Sequence, residues 1–289
     1  MAGRAIQTTP QQVYSGGHAY HINSISVCAD DETFISADDL RVNLWHYDQT
    51  PVGFNILDLK PDNMEDLIEV ITCVEFHPIQ CSLFVNSSSR GSVNMSDLRM
   101  NSVCEGYARV FENLVSDSGE QQSFFSEIVA SIADLKWSPC GRYILTRDYM
   151  TLRLWDMNME AMPLKEISIH EDLRPRLCEL YENDCVFDKF QASFSEDGHN
   201  VIAGSYNGLL QSFSLRSGES YASETSVPFA TGQSARCQYD SETLASCLLT
   251  ASSVEELVEP TKRVTQVDAS PSSNVICAAI GSALYIYNA

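Results

Sequence analysis

One spacing recurs along this chain and limits what it can fold into. A short alternating segment, a turn, a second segment, another turn and a third segment ending near an aromatic residue or its equivalent follow one another five times. The first-to-third anchors run Val27 to Trp45, Phe76 to Ser96, Trp137 to Trp155, Phe194 to Phe213 and Ala269 to Tyr287, intervals of 18, 20, 18, 19 and 18 residues. Three short strands and two turns need about that length. Near-constant units joined by connectors of variable length indicate radial β repetition, so the expected fold is all-β, a β-propeller. A fold of this kind usually presents a surface rather than performing chemistry.

The punctuation inside each unit agrees. Ser138-Pro139 and Ser270-Pro271 close first strands, because Pro cannot donate to a ladder, and Cys140-Gly141 and Asp197-Gly198 supply positive φ for tight turns. Trp155-Asp156 is the dipeptide signature of WD repeats, with Trp45-His46 a degenerate copy. Three connectors (Met64 to Val70, Phe124 to Ile132, Glu171 to Tyr181) carry apolar residues at near-helical spacing, and Leu173, Leu177 and Leu180 share one helical face. Residues 1–12 read as a flexible N-terminus. Residues 13–289 read as a partial propeller of about five blades, with a polar loop over 216–262 and a candidate outer strand at Ala245 to Leu249.

Charge narrows the partners. Eighteen Lys plus Arg against 39 Asp plus Glu leave a net charge of −21. A binder of phosphate backbones needs the opposite sign, so nucleic acid is a poor partner and a basic protein or peptide face a better one. No apolar run approaches the roughly 20 residues of a membrane span, and Met1 to Gln12 lacks the apolar core of a secretion signal. Ten cysteines show no C-x-x-C pair, so they read as reduced thiols in a cytoplasmic protein, with the nucleus as a second compartment. The six histidines show no H-E-x-x-H spacing, and no G-x-S-x-G or phosphate-cradling loop occurs. No metal, cofactor or catalytic residue is expected, and His77, before a Pro at a strand end, reads as structural.

Strand alternation predicts where the remaining chemistry gathers. The second turn of each unit emerges on the same rim as the connector into the next. That rim collects carboxylates (Asp38, Asp39, Glu182, Asp184), aromatics (Tyr20, Tyr181) and apolar groups (Leu67, Val70). A groove with anionic walls and an apolar floor suits a basic amphipathic segment. Asp38 has the simpler reading of a turn residue that hydrogen-bonds the backbone.

Longer strings carry a resemblance. His18 to Ser26, Ser36 to His46, Glu75 to Pro78, Ser123 to Ile128, Thr146 to Tyr149, Leu154 to Glu160 and Leu180 to Phe190 resemble, in order, the B-type, 55-kilodalton WD-repeat regulatory subunits of protein phosphatase 2A, over roughly residues 13 to 215. The resemblance implies a seven-bladed propeller that docks on the phosphatase scaffold and carries basic phosphoprotein substrates to a separate catalytic subunit. It implies substrate-binding roles for Tyr20, His21, Asp39, Leu67, Val70, Glu182, Asp184 and Lys189, with Phe187 and Asp188 supporting their loop. The family's first two blades have no counterpart before Met1, and 216–262 is acidic and Ser-rich where the family tends to be basic. The expectation is therefore a non-catalytic targeting subunit. The rivals are a general WD-repeat scaffold unrelated to phosphatase and, behind it, a hydrolase using His77 or His170.

Overall fold

The computed structural model describes residues 12–48, 52–100, 106–112, 124–217, 220–224 and 259–288. Among the described residues nineteen strands form five antiparallel sheets, each in sequence order. The first holds β1 (Ser24–Val27), β2 (Thr33–Ala37), β3 (Arg41–His46) and β4 (Phe54–Asp58). The second holds β5 (Ile71–Phe76), β6 (Leu83–Ser88), β7 (Val93–Asp97) and β8 (Arg109–Phe111). The third holds β9 (Asp134–Trp137), β10 (Tyr143–Arg147), β11 (Thr151–Asp156) and β12 (Lys165–Ser168). The fourth holds β13 (Ala192–Phe194), β14 (Asn200–Gly204), β15 (Leu209–Ser214) and β16 (Ser220–Glu224), and the last β17 (Val264–Ala269), β18 (Val275–Ile280) and β19 (Ala283–Asn288).

The sequence spacing has a direct structural meaning. In every sheet the two anchors stand in one cross-strand row, on either side of a middle-strand residue: Val27–Phe34–Trp45, Phe76–Phe84–Ser96, Trp137–Ile144–Trp155, Phe194–Val201–Phe213 and Ala269–Ile276–Tyr287. A constant interval is what a fixed register requires.

Period-two alternation then sends successive residues of each middle strand to opposite neighbours. Phe84 joins the core between the first and second sheets, and Val85 the core between the second and third. Ile144 faces the second sheet and Leu145 the fourth. Val201 and Ile202 divide likewise between the third and last sheets. Sheet packs on sheet through the innermost strands in the order β1, β5, β9, β13, β17, which is the arrangement of a partial β-propeller. The end sheets expose apolar side chains on their outward faces: Ile25 and Val27 on β1, Leu284 and Ile286 on β19.

A polar residue precedes each inner anchor (Ser26, Glu75, Lys136, Ser193, Asp268), and most of these reach the neighbouring inner strand. Ser24 Oγ and Ser26 Oγ accept from Val74 N and Phe76 N, both at 2.9 Å. Glu75 Oε2 accepts from Trp137 N at 2.6 Å, and Ser193 Oγ donates to Asp268 Oδ1 at 3.3 Å. Edge groups of the inner strands are thereby satisfied across the sheet gaps.

The helical connectors appear where the periodicity puts them: a 3-10 turn at Met64–Asp66, α1 (Phe124–Ala130), a 3-10 stretch at Glu171–Arg176, and α2 (Leu177–Glu182). Leu173, Leu177 and Leu180 are buried in one cluster with Phe190 and Tyr206. The outer strand of the fourth sheet falls near the start of the 216–262 segment. It is β16, paired with β15 from Leu209↔Glu224 to Phe213↔Ser220. Its sequence, Ser-Tyr-Ala-Ser-Glu, carries little strand propensity, and it pairs because only five residues of chain separate it from β15. Ala245 to Leu249, residues 1–11 and most of the 216–262 loop lie outside the described residues.

Candidate functional site

Backbone bonds stitch the second turns and the connectors into one continuous rim. Ile71 N donates to Asp39 O at 2.8 Å, Ser89 N to Val70 O at 3.0 Å, Ile132 N to Ser88 O at 3.4 Å, Ala133 N to Arg147 O at 2.7 Å and Gly208 N to Lys262 O at 2.6 Å. Asn23 Nδ2 adds a bond to Ile71 O at 2.8 Å. All eight residues expected to bind substrate lie in the turns and connectors of this rim.

Asp38 and Asp39 are adjacent in sequence and opposite in environment. The Asp38 side chain is fully buried and accepts from Leu40 N at 2.9 Å, Arg41 N at 2.7 Å and Ala19 N at 3.3 Å, with His18 Nδ1 at 3.0 Å. Burial works to raise its pKa, but these hydrogen bonds outweigh it and hold the carboxyl below the usual range. His18 Nε2 lies 2.6 Å from Ser36 Oγ, which also accepts from Trp45 Nε1 at 2.7 Å. Asp38 is thus a turn residue at the head of a buried polar chain. Asp39 is half-buried, its carbonyl ties down β5, and its carboxylate bonds to no described residue.

Tyr20 and His21 are exposed in the segment leading into β1, with Tyr20 45% accessible. Leu67 caps the 3-10 turn and Val70 exchanges two bonds with Ser89, so both are half-buried apolar groups held by backbone ties. Ile68 between them is 72% exposed.

The second group sits on α2 and the loop after it. Glu182, Asp184 and Lys189 are exposed and form no ion pair with a described residue. Glu182 ends a helix, where a negative charge opposes the dipole. Asp184 has φ 58°, a left-handed conformation that Asp tolerates better than most residues. Asp188 anchors the loop, as expected: Arg263 Nη1 donates to its Oδ1 at 2.7 Å and Tyr206 Oη to its Oδ2 at 2.8 Å. Phe187 does not act as a support. It is 55% exposed, with its ring 5.9 Å from Tyr181.

The two groups come from different parts of the chain: Tyr20, His21, Asp39, Leu67 and Val70 from the segments around the first sheet and into the second, Glu182, Asp184 and Lys189 from the connector between the third and fourth, with Lys189 lining the central cavity near Asn23 and Asp134. Helix α1 lies between them in the sequence. Its Phe124 is 64% exposed and stacks edge-on against Tyr181 at 5.5 Å, making an accessible aromatic patch of Phe124, Tyr181 and Phe187 beside the two free carboxylates. Sequence reading did not assign Phe124 to the site. The signal was its pairing with Phe125: at helical spacing only one of two consecutive aromatics can face the core, and Phe125 does.

The channel wall was also missed. Glu75 and Asp134, with Lys136 and Asp268 nearby, line a cavity of about 330 Å³ between the inner strands. Burial pushes Asp134 up to about 6 and Glu75 up to about 8. The repeated polar residue before each anchor was the available sign.

The two histidines considered as bases are both engaged. His77 Nδ1 accepts from Ile79 N and Gln80 N, and its Nε2 donates to Gly141 O at 2.9 Å. Gly141 has φ 72°, and a side chain there would collide with the His77 ring. His170 is buried between Tyr149 O at 2.7 Å and Ser205 Oγ at 2.8 Å. Burial lowers the pKa of both rings, so they serve as neutral hydrogen-bonding struts.

Among the described residues no helix is long and apolar enough to cross a membrane. The family model for the WD domain, G-beta repeat, matches residues 8–46 and 120–156, the first and third units. A protein phosphatase 2A regulatory subunit of Dictyostelium discoideum is 43% identical over 288 residues, 98% of this chain and 59% of the relative. The gamma isoform of the 55 kDa regulatory subunit of the same phosphatase in Oryctolagus cuniculus is 42% identical over 286 residues, 98% of this chain and 62% of the relative. A regulatory subunit of Caenorhabditis elegans is 51% identical over 208 residues, 72% of this chain and 42% of the relative. The chain thus spans about three fifths of the relatives it matches end to end, and it is a WD-repeat homologue of the 55 kDa B-type regulatory subunits of protein phosphatase 2A.

Proposed function

We propose that this chain is the substrate-docking part of a non-catalytic phosphatase regulatory subunit, and that the connector rim holds basic phosphoprotein segments next to a catalytic partner supplied in trans. One observation carries the reading. Asp39, Glu182 and Asp184 are carboxylates without a described ionic partner on a single rim, alongside the exposed Phe124–Tyr181–Phe187 patch. Unpaired anions next to exposed aromatic surface form the complement of a cationic segment with an apolar anchor. Glu182 supports this further, since its position at the end of α2 gives the helix nothing. Holding a substrate there raises its effective concentration at a neighbouring active site without new chemistry.

In this reading Asp39, Glu182 and Asp184 pair with substrate Lys or Arg. Leu67, Val70 and the aromatic patch take apolar side chains, Tyr20 and His21 border the entry, and Lys189 meets an acidic or phosphorylated group. The scaffold and catalytic subunits of protein phosphatase 2A are the proposed partners.

Fluorescence anisotropy with a labelled basic phosphopeptide tests the rim, comparing the unaltered chain with Asp39→Lys, Glu182→Lys and Phe124→Ala. Binding weakened at least about tenfold by each charge reversal, with melting temperature preserved, is the expected result, since each close charge pair lost is worth more than about 1.4 kcal/mol. Equal affinity across all four chains removes the rim from the mechanism. Co-purification with scaffold and catalytic subunits tests the assembly separately.

A further inference from the structure

On the rim opposite the connectors, the turn leaving β1 meets the turn leaving β5. Cys28 and Asp30 come from the first and Cys81 from the second. One donor atom from each (two sulfurs and a carboxylate oxygen) can be drawn so that all three lie within 4.8 Å of one another. Cys28 is 2% exposed, while Asp30 and Cys81 face solvent, so the group has a closed floor and an open mouth.

The local fold holds these donors in place. Asp30 Oδ1 accepts from Glu32 N at 2.9 Å and Thr33 N at 3.1 Å, which fixes the carboxylate over the turn. Cys28 Sγ approaches Cys81 O at 3.8 Å, so the two sheets already meet at this point.

Two chemistries can join such thiols, a disulfide or a shared metal. The third donor favours the metal. A disulfide has no use for the Asp30 carboxylate held within 4.8 Å of both sulfurs, whereas a dication draws two thiolates and a carboxylate together. Bond lengths of about 2.3 Å to sulfur and 2.0–2.2 Å to oxygen place tetrahedral donors roughly 3.5–4 Å apart, so closing the site takes about 1 Å of movement or less. Two thiolates select a zinc-class ion over magnesium or calcium.

We propose that Cys28, Asp30 and Cys81 form a three-donor site for a zinc-class divalent cation, which staples the first sheet to the second and leaves a fourth coordination position open to solvent. Nothing in this site overlaps the docking rim.

Cobalt(II) titration of the reduced 289-residue chain reports thiolate ligation as a sulfur-to-metal charge-transfer band, and added Zn²⁺ competes the band away. Cys81→Ser alters an exposed side chain and leaves the fold intact. Asp30→Asn keeps both acceptor bonds of its turn while removing the charge. Cys28→Ser completes the set. Each variant is expected to lower the affinity at this site at least about tenfold, the minimum that changes to supporting groups already cause. Titration curves for Cys81→Ser and Asp30→Asn that superimpose on the unaltered chain overturn the proposal. So does a Cys28–Cys81 disulfide, found by mass spectrometry, that forms in the presence of Zn²⁺.

Discussion

Asp38→Ala and Asp39→Ala should have sharply different consequences, although the residues are neighbours. Removing the Asp38 carboxylate strands Leu40 N, Arg41 N and the His18 ring in a place water does not reach, because the side chain is fully buried. Each unsatisfied buried donor costs about 1–3 kcal/mol, and Ala19 N, on an exposed residue, recovers a water. Counting two fully stranded donors gives a loss of about 2–6 kcal/mol, a large share of the 5–15 kcal/mol typical of a folded domain. Asp38→Asn retains one oxygen for the Leu40 and Arg41 amides but puts an NH2 in place of the Oδ2 that accepts from Ala19 N and bonds His18 Nδ1, so about 1–3 kcal/mol is expected. Asp39→Ala removes no described hydrogen bond and should stay within about 0.5 kcal/mol. Urea unfolding followed by tryptophan fluorescence measures all three, and Trp45, whose indole bonds to Ser36 in the same chain of contacts, reports locally. If Asp38→Ala unfolds at the same urea concentration as the unaltered chain, or Asp39→Ala loses as much as Asp38→Ala, the division between structural and free carboxylate is wrong.

Asp134 and Glu75 have folded-state pKa values raised to about 6 and about 8. The folded chain therefore binds more protons than the unfolded one above pH ~4, and these groups make stability fall as pH climbs from about 4 to about 8. Asp134→Asn with Glu75→Gln should flatten that slope in melting curves; an unchanged slope contradicts the assignment. Gly204→Ala would drive a methyl onto the Val264 carbonyl oxygen between the fourth and last sheets, so a loss of about 3 kcal/mol or more is expected in urea titrations. Phe187→Ala should leave the melting temperature unchanged, because the ring is mostly exposed, yet weaken peptide binding about tenfold or more. Intact affinity there would take the aromatic patch out of the docking surface.

The architecture was legible because register repeats. Val27 and Trp45 flank Phe34 just as Trp137 and Trp155 flank Ile144, so a constant count in sequence is a constant row in space. The rim followed from strand direction alone, and the buried role of Asp38 from turn chemistry. Propensity could not place β16, whose five residues pair through proximity to β15. Periodicity at α1 indicates that a helix has two faces, but Phe124 becomes a surface feature only once Phe125 has taken the core side and Tyr181 has arrived from a distant connector. Long-range encounters of this kind, like the meeting of Cys28 with Cys81, leave no local mark in a single sequence.

Among the described residues each sheet packs chiefly against its sequence neighbours, so cohesion along the chain behaves as a row of linked couplings rather than one indivisible block. The third sheet has a neighbour on both sides, whereas the first and last each have one among the described residues. Amide exchange should therefore be slowest in β9 and β10 and quicken toward β1 and β17 to β19. The aromatic and acidic group on α1 and α2 rides on the slow centre, while Tyr20 and His21 ride on a fluctuating end. A ligand spanning both would quiet the end it grips, and that damping would itself record the reach of the bound segment.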